Sequence, residues 1–177
     1  MMLECGCPSE YPDWHDTDVD LGGMPIHVLP VPMLVHMPLA YETYLKKQQQ
    51  AIFRLELKER WPGLVLLRTG MLRGRIVRLL VDETHSLSSQ VGHFPIPYQV
   101  RAWLHHGNVS TIRTVVREMQ MALIDSGRMP KALHLCYLTC PRCSEDRGGE
   151  KLLLLRHWQE SAMLRSRQHK RTMDQSR

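Results

Sequence analysis

Residues 132–143, Ala-Leu-His-Leu-Cys-Tyr-Leu-Thr-Cys-Pro-Arg-Cys, run an apolar stretch straight into a Cys140-x-x-Cys143 knuckle. The aliphatic content of 132–139 predicts a strand. The Cys-Pro-x-Cys turn that follows suits thiolate ligation, because a tight loop aims backbone N–H groups at the sulfurs and proline limits the freedom lost on binding. Two more cysteines, Cys5 and Cys7, stand at the opposite end of the chain. Two close thiol pairs far apart in sequence form a four-thiolate metal site once the fold brings them together. The one-residue spacing of Cys5 and Cys7 is shorter than usual, so both reach one ion only over a bent backbone, which Gly6 permits.

The reading is therefore a zinc site at Cys5, Cys7, Cys140 and Cys143. A rival is an iron–sulfur cluster held by Cys136-x-x-x-Cys140-x-x-Cys143, since strand geometry puts Cys136 and Cys140 on one face. Radical enzymes with that spacing need a barrel of βα units after the motif, and only 34 residues follow Cys143. That class is excluded on size. The metal-free alternative leaves Cys5 and Cys7 in a loose N-terminal segment and the rest as buried thiols, which is the role expected of Cys136 in any case.

Working outward, the clearest helix is 111–126, with Ser110 as N-cap, an apolar stripe of Ile112, Val115, Val116, Met119 and Leu123, and Gly127 at its end. With extended chain at 98–105 before it and the 132–139 strand after it, the region predicts a βαβ unit inside a mixed sheet. Gly107-Asn108-Val109-Ser110 lacks the further glycines and the Gly-Lys-Ser/Thr ending of a phosphate loop, so nucleotide binding is not indicated. After the knuckle, Leu152, Leu155, Trp158 and Ala162 predict a terminal helix over 150–168.

Further upstream, 64–82 predicts a strand pair, Leu64–Arg68 and Arg73–Val81, turning at Thr69-Gly70, with a short helix at 71–80 as the rival. A helix over 39–60 follows from Tyr41, Tyr44, Leu45, Ile52 and Leu55, with Lys46 to Gln50 on its wetter side and Trp61-Pro62-Gly63 as its stop. Four prolines among aliphatics make 25–38 a buried extended segment at a sheet edge, and His27 and His36 in it read as core or boundary histidines. Residues 1–24 read as an irregular acidic segment anchored by Trp14, and 83–95 as a Ser-rich loop with His85 and His93. No internal repeat is visible. The fold class is thus α+β, one compact domain over 1–168 with a mixed sheet, helices at 39–60, 111–126 and 150–168, a cysteine-rich knuckle, and a frayed basic tail at 169–177.

A net charge of +5 hides an asymmetry, with −6 over residues 1–20 and +4 over 165–177. Arg68, Arg73, Arg75 and Arg78 lie in a stretch without one acid. Such density predicts weak, salt-sensitive contact with nucleic acid or an acidic protein partner, with a solvated outer face as the alternative. No segment has the length and composition of a membrane span, so no membrane partner is expected. The start lacks a basic and apolar leader, which predicts a reducing cytoplasm.

Candidate catalytic residues are His15, Asp16, His105 and His106. A calcium loop from Asp16 is rejected, because Leu21 and His27 stand where glycine and glutamate are needed. Adjacent His105 and His106 in extended chain point to opposite sides. Nothing here has a nucleophile-elbow, paired-carboxylate or zincin pattern. A zinc-binding adaptor module ranks ahead of an iron–sulfur redox or sensor protein, and a metal-dependent enzyme comes third.

Overall fold

The computed structural model describes residues 2–82 and 86–175, with side chains through His169; His85 lies outside the described residues. In chain order the elements are β1 (Thr17–Asp20), β2 (Pro25–Leu34), β3 (Met37–Pro38), α1 (Tyr41–Arg54), β4 (Val65–Arg68), β5 (Arg73–Leu79), β6 (Val91–His93), β7 (Gln99–His106), α2 (Arg113–Asp125), β8 (Arg128–Tyr137), a 3-10 turn (Glu145–Arg147), β9 (Lys151–Glu160) and α3 (Ala162–Gln175). The strands form one sheet in the order β1-β7-β9-β8-β4-β5-β2-β3, with β6 alongside the start of β2. The class is α+β, with three α-helices among the described residues.

Every hydrogen-bonded strand pair is antiparallel, which corrects the expected mixed sheet. The strand–helix–strand unit β7-α2-β8 does exist, and its two strands run parallel. They never touch as partners, because β9 inserts between them and pairs with both. That order, strand–helix–strand–strand, occurs twice. In β2-α1-β4-β5 the last strand likewise returns between the first two, and the halves join where β4 meets β8 at Leu67↔Leu135 and Arg68↔His134.

The sheet is covered on both sides. Against one face pack Tyr41, Tyr44 and Leu45 of α1 with Ile112, Val115, Val116 and Met119 of α2, over Leu67, Ile76, Leu152 and Leu154. The other face, built on Leu66, Val77, Val100, Leu153 and Leu155, is closed by Tyr11, Trp14 and Val19 from the N-terminal segment and by Trp61 and Phe94.

Double cover explains the largest departure from expectation. Residues 151–160, expected to open the 150–168 helix, are strand β9, paired on both edges, and the third helix begins only at Ala162. Leu152 to Leu155 are all buried, two toward each face. A helix would hide only one stripe of that run. Full burial is worth about 1.5–3 kcal/mol per leucine, against a propensity difference of at most a few tenths of a kcal/mol per residue. Packing therefore outweighs propensity.

Smaller differences have local causes. Helix α1 ends at Arg54, before Trp61-Pro62-Gly63, where Leu55 caps it and Glu56 takes φ 54°. Helix α2 is capped from Ile112, and Ser110 instead donates to Asn108 Oδ1. Within the segment expected to be irregular, residues 17–20 form β1 on the sheet edge. Its aspartates bind the body, Asp18 with Arg128 at 2.8 Å and Asp20 accepting from the Gly22 and Tyr98 amides. The strand pair at 64–82 forms as expected, as β4 and β5.

Candidate metal centre

The knuckle is the turn of the β8–β9 hairpin. Leu138 donates its amide to Lys151 O at 3.1 Å and Lys151 N donates to Thr139 Oγ1 at 2.8 Å, so the two strands hold residues 139–150 as a closed loop. Inside it, Cys143 N and Ser144 N donate to Cys140 O at 3.0 and 2.9 Å, and Cys140 N donates to Cys143 Sγ at 3.4 Å. The two sulfurs lie 3.9 Å apart.

The N-terminal pair arrives on a second tight loop. Leu3 N donates to Cys7 O and Gly6 N to Leu3 O, both at 2.9 Å, and Gly6 takes φ 89°, supplying the bend that a one-residue spacing requires. Two arginines of the knuckle fasten this loop: Arg142 donates to Cys5 O at 3.3 Å, and Arg147 donates to Pro8 O at 2.9 Å and to Leu138 O at 2.8 Å. Gly63 makes room for it. A Cβ there would sit 2.9 Å from both Met2 Cγ and Pro8 N, and its φ of 86° is itself unfavourable to side chains.

The outcome is that Cys5, Cys7, Cys140 and Cys143 converge, with all four Sγ atoms within 4.8 Å of one another. They are free thiols, Cys7 and Cys143 buried and the other pair partly so. Four thiolates around one ion at about 2.3 Å stand about 3.8 Å apart in a tetrahedron, close to the 3.9 Å of the knuckle pair. The group can hold a metal ion. Without one, burial first, then hydrogen bonding within the group, pushes the Cys7 thiol far above its ordinary range. For Cys140 burial acts upward too, but the Arg142 amide and the other three thiols outweigh it and bring it down to about 7.

Cys136 stands apart from the four. It is fully buried in the core on the far side of the sheet from the helices, and burial raises its thiol strongly. Strand β8 ends at Tyr137, so the expected shared face with Cys140 is lost.

The other candidates do not converge. His15 accepts from Leu104 N at 3.2 Å and lies against Trp103 at 4.7 Å between ring centroids, while Asp16 pairs with Arg101 at 2.5 Å. His105 bonds to Thr111 Oγ1 at 2.8 Å. Among the described residues the four cysteines are the one group of three or more potential ligands.

Of the four arginines, Arg68, Arg73 and Arg75 are exposed. Arg78 is not. It lies buried with both Glu59 oxygens within 2.9 Å of Nη1, and donates from Nε to Gln48 Oε1 at 3.1 Å. Gln48, expected on the wet side of α1, is fully buried and also donates to the His27 and Ile76 carbonyls. No periodicity argument finds such a network, because its members look solvated one at a time. Arg78 also borders a cavity of about 1060 Å³ between α1, the knuckle and residues 107–109, and Cys5, Cys7 and Cys140 lie along the wall with Tyr41 and Tyr137.

No protein-family model and no curated protein matches the chain. Two solved structures share its fold. The crystal structure of the EcmrR C-terminal domain is similar at TM-score 0.60 and 9% identity, covering 81% of this chain and 96% of that one. The cryo-EM structure of an EcmrR–DNA complex in EcmrR-RPo is similar at TM-score 0.57 and 9% identity, covering 81% of this chain and 57% of the EcmrR chain. At that identity the likeness concerns the fold alone. No described helix is long and apolar enough to cross a membrane.

Proposed function

We propose that Cys5, Cys7, Cys140 and Cys143 bind one zinc ion, and that the protein is a small cytoplasmic, zinc-clipped binding module serving as an adaptor for an acidic partner, a nucleic acid or an acidic protein. The observation that carries the reading is the convergence of two thiol pairs from the two ends of the chain into a group spanning at most 4.8 Å. Its spacing suits a single ion better than a multi-iron cluster, and the set is closed, leaving no open position for a substrate. A closed site is structural. Metal binding joins the N-terminal segment to the knuckle and so closes a loop of more than a hundred residues.

For the partner, the support is the exposed Arg68, Arg73 and Arg75 together with Arg167 on α3; the side chains of Lys170 and Arg171 lie outside the described residues. A fold found in an EcmrR–DNA complex is compatible with nucleic-acid contact.

Elemental analysis of anaerobically purified protein tests the metal, with about one zinc per chain expected. Iron with visible absorption, with or without sulfide, would replace zinc in this reading, and absence of any metal would end it. Titration of labelled single- and double-stranded nucleic acid should show weak affinity that falls steeply with salt. Absence of binding at low salt leaves the acidic protein as partner.

A further inference from the structure

Half of the strongly exposed large apolar side chains among the described residues sit at one place. Leu34, Val35 and Met37 belong to the tip of the β2–β3 hairpin with Leu39 just after β3, and Met71 and Leu72 belong to the β4–β5 turn, with exposures of 47–71%. The two turns are held side by side by the backbone: Met33 N donates to Leu72 O at 3.0 Å, Val35 N to Met71 O at 2.9 Å and His36 N to Gly70 O at 3.2 Å. The result is a double-turn tip at one end of the sheet. Scattered apolar side chains need no explanation, but a cluster of six does.

Val35 sharpens the point. It takes φ 47°, followed by His36 at 66°, so a β-branched residue occupies left-handed backbone where glycine or asparagine would be relaxed. Its side chain is 63% exposed, and the fold gains little from valine there. An apolar residue kept at a strained, outward position indicates an apolar phase outside the molecule.

Charge indicates which phase. Residues 21–41 and 60–81, which carry the tip, contain no Asp or Glu. Arg73 directly follows Leu72, and Arg75 lies two residues further along β5, paired across to Arg68. At about 3.3 Å per residue the collar spans about 7 Å behind the apolar end. None of the three forms an ion pair among the described residues. A convex aliphatic end with a guanidinium collar matches a bilayer surface: the apolar chains enter the hydrocarbon boundary while the arginines stay at the anionic headgroups.

We infer that the paired β2–β3 and β4–β5 turns form a membrane-docking tip that inserts Leu34, Val35, Met37, Met71 and Leu72 into an anionic phospholipid surface, with Arg68, Arg73 and Arg75 at the headgroups. No spanning segment is required, and the absence of one, which made a membrane partner unexpected, bears only on crossing. The inference does not rest on the metal.

Sedimentation of the full chain with phosphatidylcholine vesicles, with and without phosphatidylserine, tests it. Binding is expected with phosphatidylserine only. Each of Arg73→Gln and Arg75→Gln should weaken it about fivefold. The double variant Met71→Ser/Leu72→Ser should abolish it with melting temperature and metal content unchanged, since both side chains already face solvent. Absence of vesicle binding overturns the proposal. So does binding that survives the serine variant, which would be attraction to charge without insertion. A concentration-dependent dimer dispersed by the same variant would also overturn it, assigning the tip to a second copy.

Discussion

Cys136 and Cys143 are buried thiols seven residues apart, yet their replacement by serine is expected to cost very different amounts. Cys143→Ser removes one of the four convergent thiols proposed to hold zinc, and the metal-coupled folding energy of structural zinc sites is about 10 kcal/mol or more. Cys136→Ser places one hydroxyl in an apolar core, a penalty of about 1–3 kcal/mol. At roughly 2–4 °C per kcal/mol for a chain of this length, thermal melting separates the two, and equal losses would show that the division of roles is wrong. The two pairs were legible in the sequence, because spacing sets Cys5 with Cys7 and Cys140 with Cys143, but spacing also admitted Cys136 to the rival iron–sulfur set, and the fold places it in the core instead. Arg78 and Gln48 were not legible. Gln48 lies in a polar run and Arg78 is one of four arginines that all look solvated, and only the meeting of α1 with β5 and Glu59 turns the two into a buried, mutually satisfied set.

At the scale of elements, legibility followed how many sides of a segment are covered. Helix α2 was readable because it is half-buried, so its stripe shows against a wet face. Strands β4 and β5 were readable from aliphatic runs broken by a turn. Strand β9 was not, since Leu152 to Leu155 are buried on both faces and a continuous apolar run has no period to reveal. That single strand also decided the topology. Had 151–160 been a helix, β7 and β8 could have paired directly and the sheet would have been mixed; as a strand it fills the gap between them and makes every pair antiparallel. The twofold strand–helix–strand–strand order is not legible in the sequence for a related reason, because the halves share an arrangement without a recurring sequence pattern.

For the molecule as a whole, the buried histidines set an expected acid limit. His27, His134 and His157 are all buried, and each is held below the ordinary imidazole range, in every case mainly by burial. For His134 the charges of Arg68 and His157 add to burial and bring it to about 3. Tyr98 shares a hydrogen bond with its Nε2 at 2.9 Å and stacks on His157 with centroids 4.0 Å apart, so the rings form one packed unit on the face away from the helices. The folded protein keeps His134 neutral, whereas the unfolded chain takes up its proton near pH 6.5. Between those values the unfolded state binds more protons, so stability is full above about pH 6.5 and falls as pH drops toward 3, by up to about 1.4 kcal/mol per pH unit for His134 alone. Acid also competes with any metal for thiolate ligands and so weakens its binding. Comparison of the unmodified protein with His134→Gln separates the two effects, since the substitution removes one titrating imidazole and leaves the thiols in place. Urea denaturation across pH 7 to 4 should give the variant a lower stability at neutral pH, from the disturbed contact with Tyr98, and a shallower loss on the acid side. Parallel curves would show that His134 does not carry the acid sensitivity.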